Sequence, residues 1–364
     1  MEVESLEEFD ALVEQGVTSM AHWRIQDVDL TGRSVVLERL EAQGALLLGC
    51  ALDNGTASSL RERGALIFPR VPDVPVNPYR SELYTPAELY AGLEDTSYDE
   101  TPDAQAFAWS RTSSDLAADL ARTLHDHAVD DALAELVVDR RLVGVMGGHA
   151  HDRGTPDYVA AARLGRALAR AGLTVATGGG PGAMEAANLG AYLAPYDDDA
   201  LDEAVDVLAT VPAFGTSVTL WARAAFEVRR RWPDGGPSLG IPTWFYGHEP
   251  PNALASHVAK YFKNAIREDV LLHLCDAGIV FLPGRAGTLQ EVFQDACENY
   301  YAAPGALAPM VLVGVEHWTE QLPAWPLLEA LATGRPMAER VHLVDSPADV
   351  LPHLVTAEAL TQER

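Results

Sequence analysis

One stretch of this 364-residue chain concentrates residues able to do chemistry: Gly278-Ile279-Val280-Phe281-Leu282-Pro283-Gly284-Arg285-Ala286-Gly287-Thr288-Leu289-Gln290-Glu291. An apolar strand empties into a small-residue turn that opens a helix bearing a carboxylate. The first N–H groups of a helix lack intrahelical partners and carry the positive end of its dipole, so Gly284, Arg285, Ala286, Gly287 and Thr288 form a candidate phosphate cradle. Glu291 stands three residues beyond Thr288, on the same helical face and one sugar's reach from a phosphate held there. A carboxylate beside a ribose can stabilise an oxocarbenium-like centre and take a proton from water. The chain's only two lysines, Lys260 and Lys263, are spaced with Arg267 at i, i+3 and i+7 and predict a basic stripe on one helix face.

These groups need a scaffold that gathers loops. Apolar runs at Leu142–Met146, Leu173–Ala176, Val205–Val211, Leu239–Phe245, Ile279–Leu282, Val311–Val315 and Val341–Val344 alternate with helical patterns. That rhythm predicts an α/β fold with a Rossmann-like, doubly wound parallel sheet, whose ligands bind at the carboxyl ends of the strands. Two further glycine loops fall at such ends: Gly147-Gly148-His149-Ala150-His151, and Thr177-Gly178-Gly179-Gly180-Pro181-Gly182-Ala183-Met184-Glu185. The second follows the second strand, and no acid ends the next strand to hold a ribose diol, so a dinucleotide fingerprint fails. The His-x-His pair invites a metal, but no third ligand is spaced to complete a site and none is expected.

Residues 1–135 have a different texture. Short helical patterns at Leu6–Glu14, Val36–Gln43 and Ser58–Arg63 alternate with brief apolar runs, then come a proline-rich stretch and a linker over Asp95–Asp103. No internal repeat is read there. The expected organisation is a smaller N-terminal α/β extension of unknown role over 1–135 and a catalytic nucleotide-binding domain over 136–364.

Composition narrows the partners. A net charge of -27 argues against nucleic acid or an anionic membrane, so any phosphate pocket must be a local basic island. Three scattered cysteines without C-x-x-C spacing support neither a disulfide framework nor a thiolate zinc site. No stretch approaches the apolar length of a membrane helix and the N-terminus is acidic, so a cytoplasmic protein is expected.

The order of motifs resembles the "Lonely Guy" family, long labelled possible lysine decarboxylases, over about residues 140–320: a strand and Gly-Gly, then Gly-Gly-Gly-Pro-Gly-Ala-Met-Glu-Ala, an Arg-bearing helix, and Pro-Gly-x-x-Gly-Thr-x-x-Glu. The Gly-Pro-Gly-Ala-Met-Glu variant and Glu249-Pro250-Pro251-Asn252 are closer to the bacterial nucleotide 5'-monophosphate nucleosidases. The resemblance implies hydrolysis of the N-glycosidic bond of a nucleoside 5'-monophosphate, without a cofactor, by a homodimer or homotetramer. It implies catalytic roles for Glu291 and Arg267, and substrate contacts from Gly147, Gly148, Gly179, Gly180, Gly182, Glu185, Glu249 and Lys263. Two departures stand out: Arg285 replaces a glycine, and Glu268 replaces a lysine. Decarboxylation is rejected on chemistry, since neither Lys260 nor Lys263 has a pyridoxal context. The alternative is a noncatalytic nucleotide or molybdenum-cofactor carrier, because a phosphate cradle alone does not require turnover.

Overall fold

The computed structural model describes residues 1–245 and 249–354. The chain divides into two compact units, Met1–Leu83 with Ala108–Leu136, and Tyr84–Phe107 with Val137–Arg364.

The smaller unit is built on four short parallel strands in sequential order, β1 (Glu2–Val3), β2 (Arg24–Gln26), β3 (Leu46–Leu48) and β4 (Leu66–Phe68), separated by α1 (Leu6–Glu14), α2 (Ser34–Arg39) and α3 (Thr56–Glu62). Paired residues Glu2, Arg24, Leu46 and Leu66 stand 22, 22 and 20 residues apart, and the bridges Ser19–Glu41 and Asp29–Ala51 keep the 22-residue step. The structure thus contains the internal repeat that the sequence was read as lacking. Each turn adds one inward residue to a shared ladder, and Val3, Ile25 and Leu47 are fully buried in it. Strands of two or three residues are too short to show alternation, which hid the period. One repeat cannot bury its apolar face alone, so stacking supplies the core.

Helix α4 (Pro86–Leu89) falls in the larger unit, the division between the units runs through α5 (Pro102–Thr112) after Phe107, and α6 (Leu116–Leu136) lies in the smaller one. The main domain then runs β5 (Leu142–Met146), α7 (Pro156–Arg170), β6 (Thr174–Thr177), α8 (Ala183–Tyr192), α9 (Asp198–Ala209), α10 (Val218–Arg231), β7 (Ser238–Gly240), β8 (His257–Val258), α11 (Asn264–His273), β9 (Ile279–Phe281), α12 (Ala286–Tyr301), β10 (Met310–Val313), α13 (Trp325–Ala332) and β11 (Val341–Val344). Its seven strands are all parallel, in the order β11-β10-β9-β5-β6-β7-β8. This is the doubly wound, Rossmann-like sheet expected from the apolar runs. Every residue of β5, β7, β9 and β10 is buried, as strands covered on both faces require.

Two expectations give way. Val205–Val211 is mostly the end of helix α9, because Leu201, Ala204, Val205 and Leu208 repeat at helical spacing and Asp197 caps the start by accepting the Ala200 N–H. Asp95–Asp103 is no loose linker: Asp103 is buried and accepts from Trp244 Nε1 at 2.9 Å, from Lys260 Nζ at 2.5 Å and from the Tyr98 hydroxyl at 2.7 Å. The Tyr84 N–H donates to Val258 O, continuing the attachment within this unit.

The chain starts in the middle of the large sheet at β5, winds outward through β6, β7 and β8, then crosses back to place β9 on the other side of β5. Loops after β5 and β9 therefore leave in opposite directions, and a crevice opens between them.

Candidate active site at the strand switch point

Three glycine loops meet in that crevice. The Gly148 N–H donates to Pro283 O at 3.2 Å and the Ala183 N–H to Gly148 O at 3.1 Å, lacing the loops after β5, β6 and β9 together. Space explains the small residues. A Cβ on Gly182 would lie 2.6 Å from Gly148 O, and Gly182 also has a positive φ of 73°. A Cβ on Gly284 would lie 2.2 Å from Thr288 Oγ1, so only glycine lets the first turn of α12 fold back on the strand end. Gly287 has nothing within 4 Å of such an atom: it faces open space.

That space is a cavity of about 430 Å³ lined by Gly147, Gly148, His149, Gly178, Met184, Glu249, Arg267, Glu268, Gln290 and Glu291 together with Arg285, Ala286, Gly287 and Thr288. The first helical bond of α12 is the Leu289 N–H to Arg285 O, at 2.9 Å. The amides of Ala286, Gly287 and Thr288 precede it and lack an intrahelical acceptor, as the first amides of a helix do.

Arg267 comes from α11 and Glu291 from α12, and their Nη1 and Oε1 atoms are 3.6 Å apart. Their side chains keep only 11% and 13% exposure. Burial pushes the Glu291 carboxyl up to about 7, Arg267 pulling against the rise and Glu268 adding to it. Arg267 Nε is buried and has no hydrogen-bond partner among the described residues, leaving a donor unspent beside the carboxylate. At the cavity's other loops, His149 Nδ1 lies 3.1 Å from Glu249 Oε1. The Glu249 segment is pinned by Asn252, whose N–H and side-chain amide donate to Gly179 O and Gly180 O.

The expected residues divide. Glu291, Arg267, Arg285, Ala286, Gly287, Thr288, Gly147, Gly148 and Glu249 line one cavity. Gly179, Gly180, Gly182 and Gly284 shape the loops beneath it. Glu185 points elsewhere: it is fully buried, accepts from Arg153 Nε at 2.9 Å and Nη2 at 2.5 Å, and takes the Tyr158 hydroxyl at 3.1 Å. Lys263 precedes the first turn of α11 and is absent from the cavity wall. The basic stripe breaks for the same reason. Helix α11 begins only at Asn264, so Lys260 is not on it but buried against Asp103. The two histidines also part, His149 toward Glu249 and His151 toward Pro283 O and Asp157. Sequence reading did not pick out His149, Met184, Glu268 or Gln290 as cavity residues; their neighbours in the motifs were the available signal.

Among the described residues no helix is long and apolar enough to cross a membrane. Residues 140–194 match the SLOG cluster4 family, and residues 221–354 match the family described as possible lysine decarboxylase. No curated protein matches the chain. Among solved structures, the molybdenum cofactor binding protein from the phototrophic bacterium Rippkaea orientalis is 19% identical, with a TM-score of 0.34 over 57% of this chain and 91% of that one. The Moco carrier protein from Chlamydomonas reinhardtii is 19% identical, with a TM-score of 0.36 over 61% and 99%. The two matched stretches hold the motifs in the order read from the sequence, so residues 140–194 are similar to the SLOG cluster4 family and residues 221–354 to the possible lysine decarboxylases.

Proposed function

We propose that this protein hydrolyses the N-glycosidic bond of a nucleoside 5'-monophosphate to free base and ribose 5-phosphate. The observation that carries the reading is the Glu291 carboxylate, raised to about 7 and paired with Arg267, in the same cavity as the three amides that start α12. Phosphate at Ala286, Gly287 and Thr288 anchors the sugar and turns its anomeric carbon toward Glu291. The bond between C1' and the base nitrogen breaks, its electron pair leaving with the base, and Glu291 stabilises the positive charge that develops on the sugar. Water adds to C1' and gives its proton to Glu291, which returns a proton to the base released. Arg267, with Nε unspent, holds the phosphate or the departing base, and Glu249 with His149 contacts the base. Arg285 at the head of α12 adds charge to the phosphate end. The domain over 136–364 is the catalytic part in this reading, in a cytoplasmic homo-oligomer that needs no cofactor.

The test is release of base. Incubation with AMP, GMP, CMP and UMP, followed by chromatography, is expected to yield free base from at least one nucleotide. Nucleotide that raises the melting temperature without base release contradicts turnover and makes the protein a binder.

A further inference from the structure

Two adjacent pairs cross between α11 and α12. Arg267 meets Glu291, and the next residue on α11, Glu268, meets the preceding residue on α12, Gln290. Glu268 is 6% exposed and lines the same cavity. One carboxylate oxygen accepts from Asn264 Nδ2 at 2.7 Å and the other from Gln290 Nε2. Among the described residues it makes no ion pair, so two neutral amides hold a buried acid beside the one assigned to catalysis. A carboxyl with a neighbour of the same sign binds its proton more tightly, and Glu268 raises Glu291 in this way.

We propose that Glu268 is a positioning residue for Glu291: it bolts α11 to α12 in the register that brings Arg267 to Glu291, and keeps a second negative charge next to that carboxylate. The consequence is a proton on Glu291 that comes and goes near neutrality, as a group that exchanges protons with water and base in one turnover requires. The other titratable or charged groups on the cavity wall are Arg267 from α11, Arg285 at the head of α12, His149 after β5 and Glu249 after β7. Of these, Arg267 is the one in contact with Glu291.

This inference rests on the hydrolytic reading, so one arm of the test needs turnover and the other does not. In the full chain, the acid limb of kcat/KM for the best nucleotide is expected near 7, where Glu291 titrates. Glu268→Gln is expected to move that limb down by about one pH unit or more, and Glu268→Asp, which keeps the charge, to move it less. In parallel, calorimetry of ribose 5-phosphate binding in buffers of different ionisation enthalpy counts protons exchanged at the site, and Glu268→Gln is expected to shift the pH of that exchange the same way. A folded Glu268→Gln variant with limb and proton count both unmoved overturns the inference. If no nucleotide is turned over, hydrolysis fails and calorimetry alone decides the role of Glu268. Should Glu268→Gln not fold, Gln290→Leu leaves the charge and loosens the bolt. It is expected to lower kcat and, in calorimetry, to change the pH of proton exchange; parent values for both overturn the proposal.

Discussion

Two arginine–glutamate pairs sit in the same domain, each on a motif that the sequence marks out, yet they are built for different ends. Arg153 grips Glu185 through two bonds, lies over the Trp221 ring at 4.4 Å and also donates to Trp221 O, while the Tyr158 hydroxyl completes the glutamate. Neither side chain keeps more than 1% exposure. Arg267 and Glu291 are spaced at 3.6 Å, one donor is unspent, and both face a cavity. A saturated pair has nothing left to offer a ligand; an unsaturated one does. The comparison teaches that satisfaction of hydrogen bonds, more than residue type or motif membership, separates an acid locked into the fold from one with capacity left at a cavity.

The sharpest way to break the comparison is to neutralise each acid in turn. Glu291→Gln is expected to lower kcat by about 10²–10⁴ while nucleotide binding survives, read by single-turnover assay and calorimetry. Glu185→Gln strands Arg153 without its counter-charge and is expected to cost about 3–5 kcal/mol of stability, read by denaturant unfolding. A Glu185→Gln variant with parent stability and lost turnover would reverse the assignment. A smaller effect is expected at the cradle: Gly287→Val fills space that is open in the structure, and should weaken ribose 5-phosphate binding tenfold or more, about 1.4 kcal/mol, with the melting temperature little changed.

The smallest effect sharpens the electrostatics. The Glu291 carboxyl binds its proton more tightly folded, at about 7, than at its ordinary 4.5, so folding stability contributed by this group falls as pH rises through that window. Glu291→Gln removes the titration. Its melting temperature relative to the parent should therefore be higher above pH 7 than below 4.5. A difference independent of pH contradicts the raised value.

How legible the molecule was in its sequence follows from length scales. Apolar runs of four or five residues between helices revealed the parallel sheet, and the Pro283–Glu291 stretch revealed the glycine turn that opens α12 beside the cavity, because both signals are local. Val205–Val211 misled because a short apolar run at a helix end reads like a buried strand until the upstream spacing of Leu201 and Ala204 is counted. The Lys260 stripe failed on a boundary: helical spacing was extended four residues before the helix begins at Asn264. The contacts of Glu185 with Arg153 and Tyr158, of Asp103 with Trp244 and Lys260, and of Glu268 with Gln290 join residues distant in sequence, which no local pattern encodes. The 22-residue repeat in the smaller unit was hidden by strands too brief to carry a period.

The most direct measurement is a crystal structure of the full chain with ribose 5-phosphate. The account expects the phosphate on the amides of Ala286, Gly287 and Thr288, with C1' turned toward Glu291 and Arg267 Nε engaged. Phosphate lodged away from α12, with Glu291 out of reach of the sugar, contradicts it.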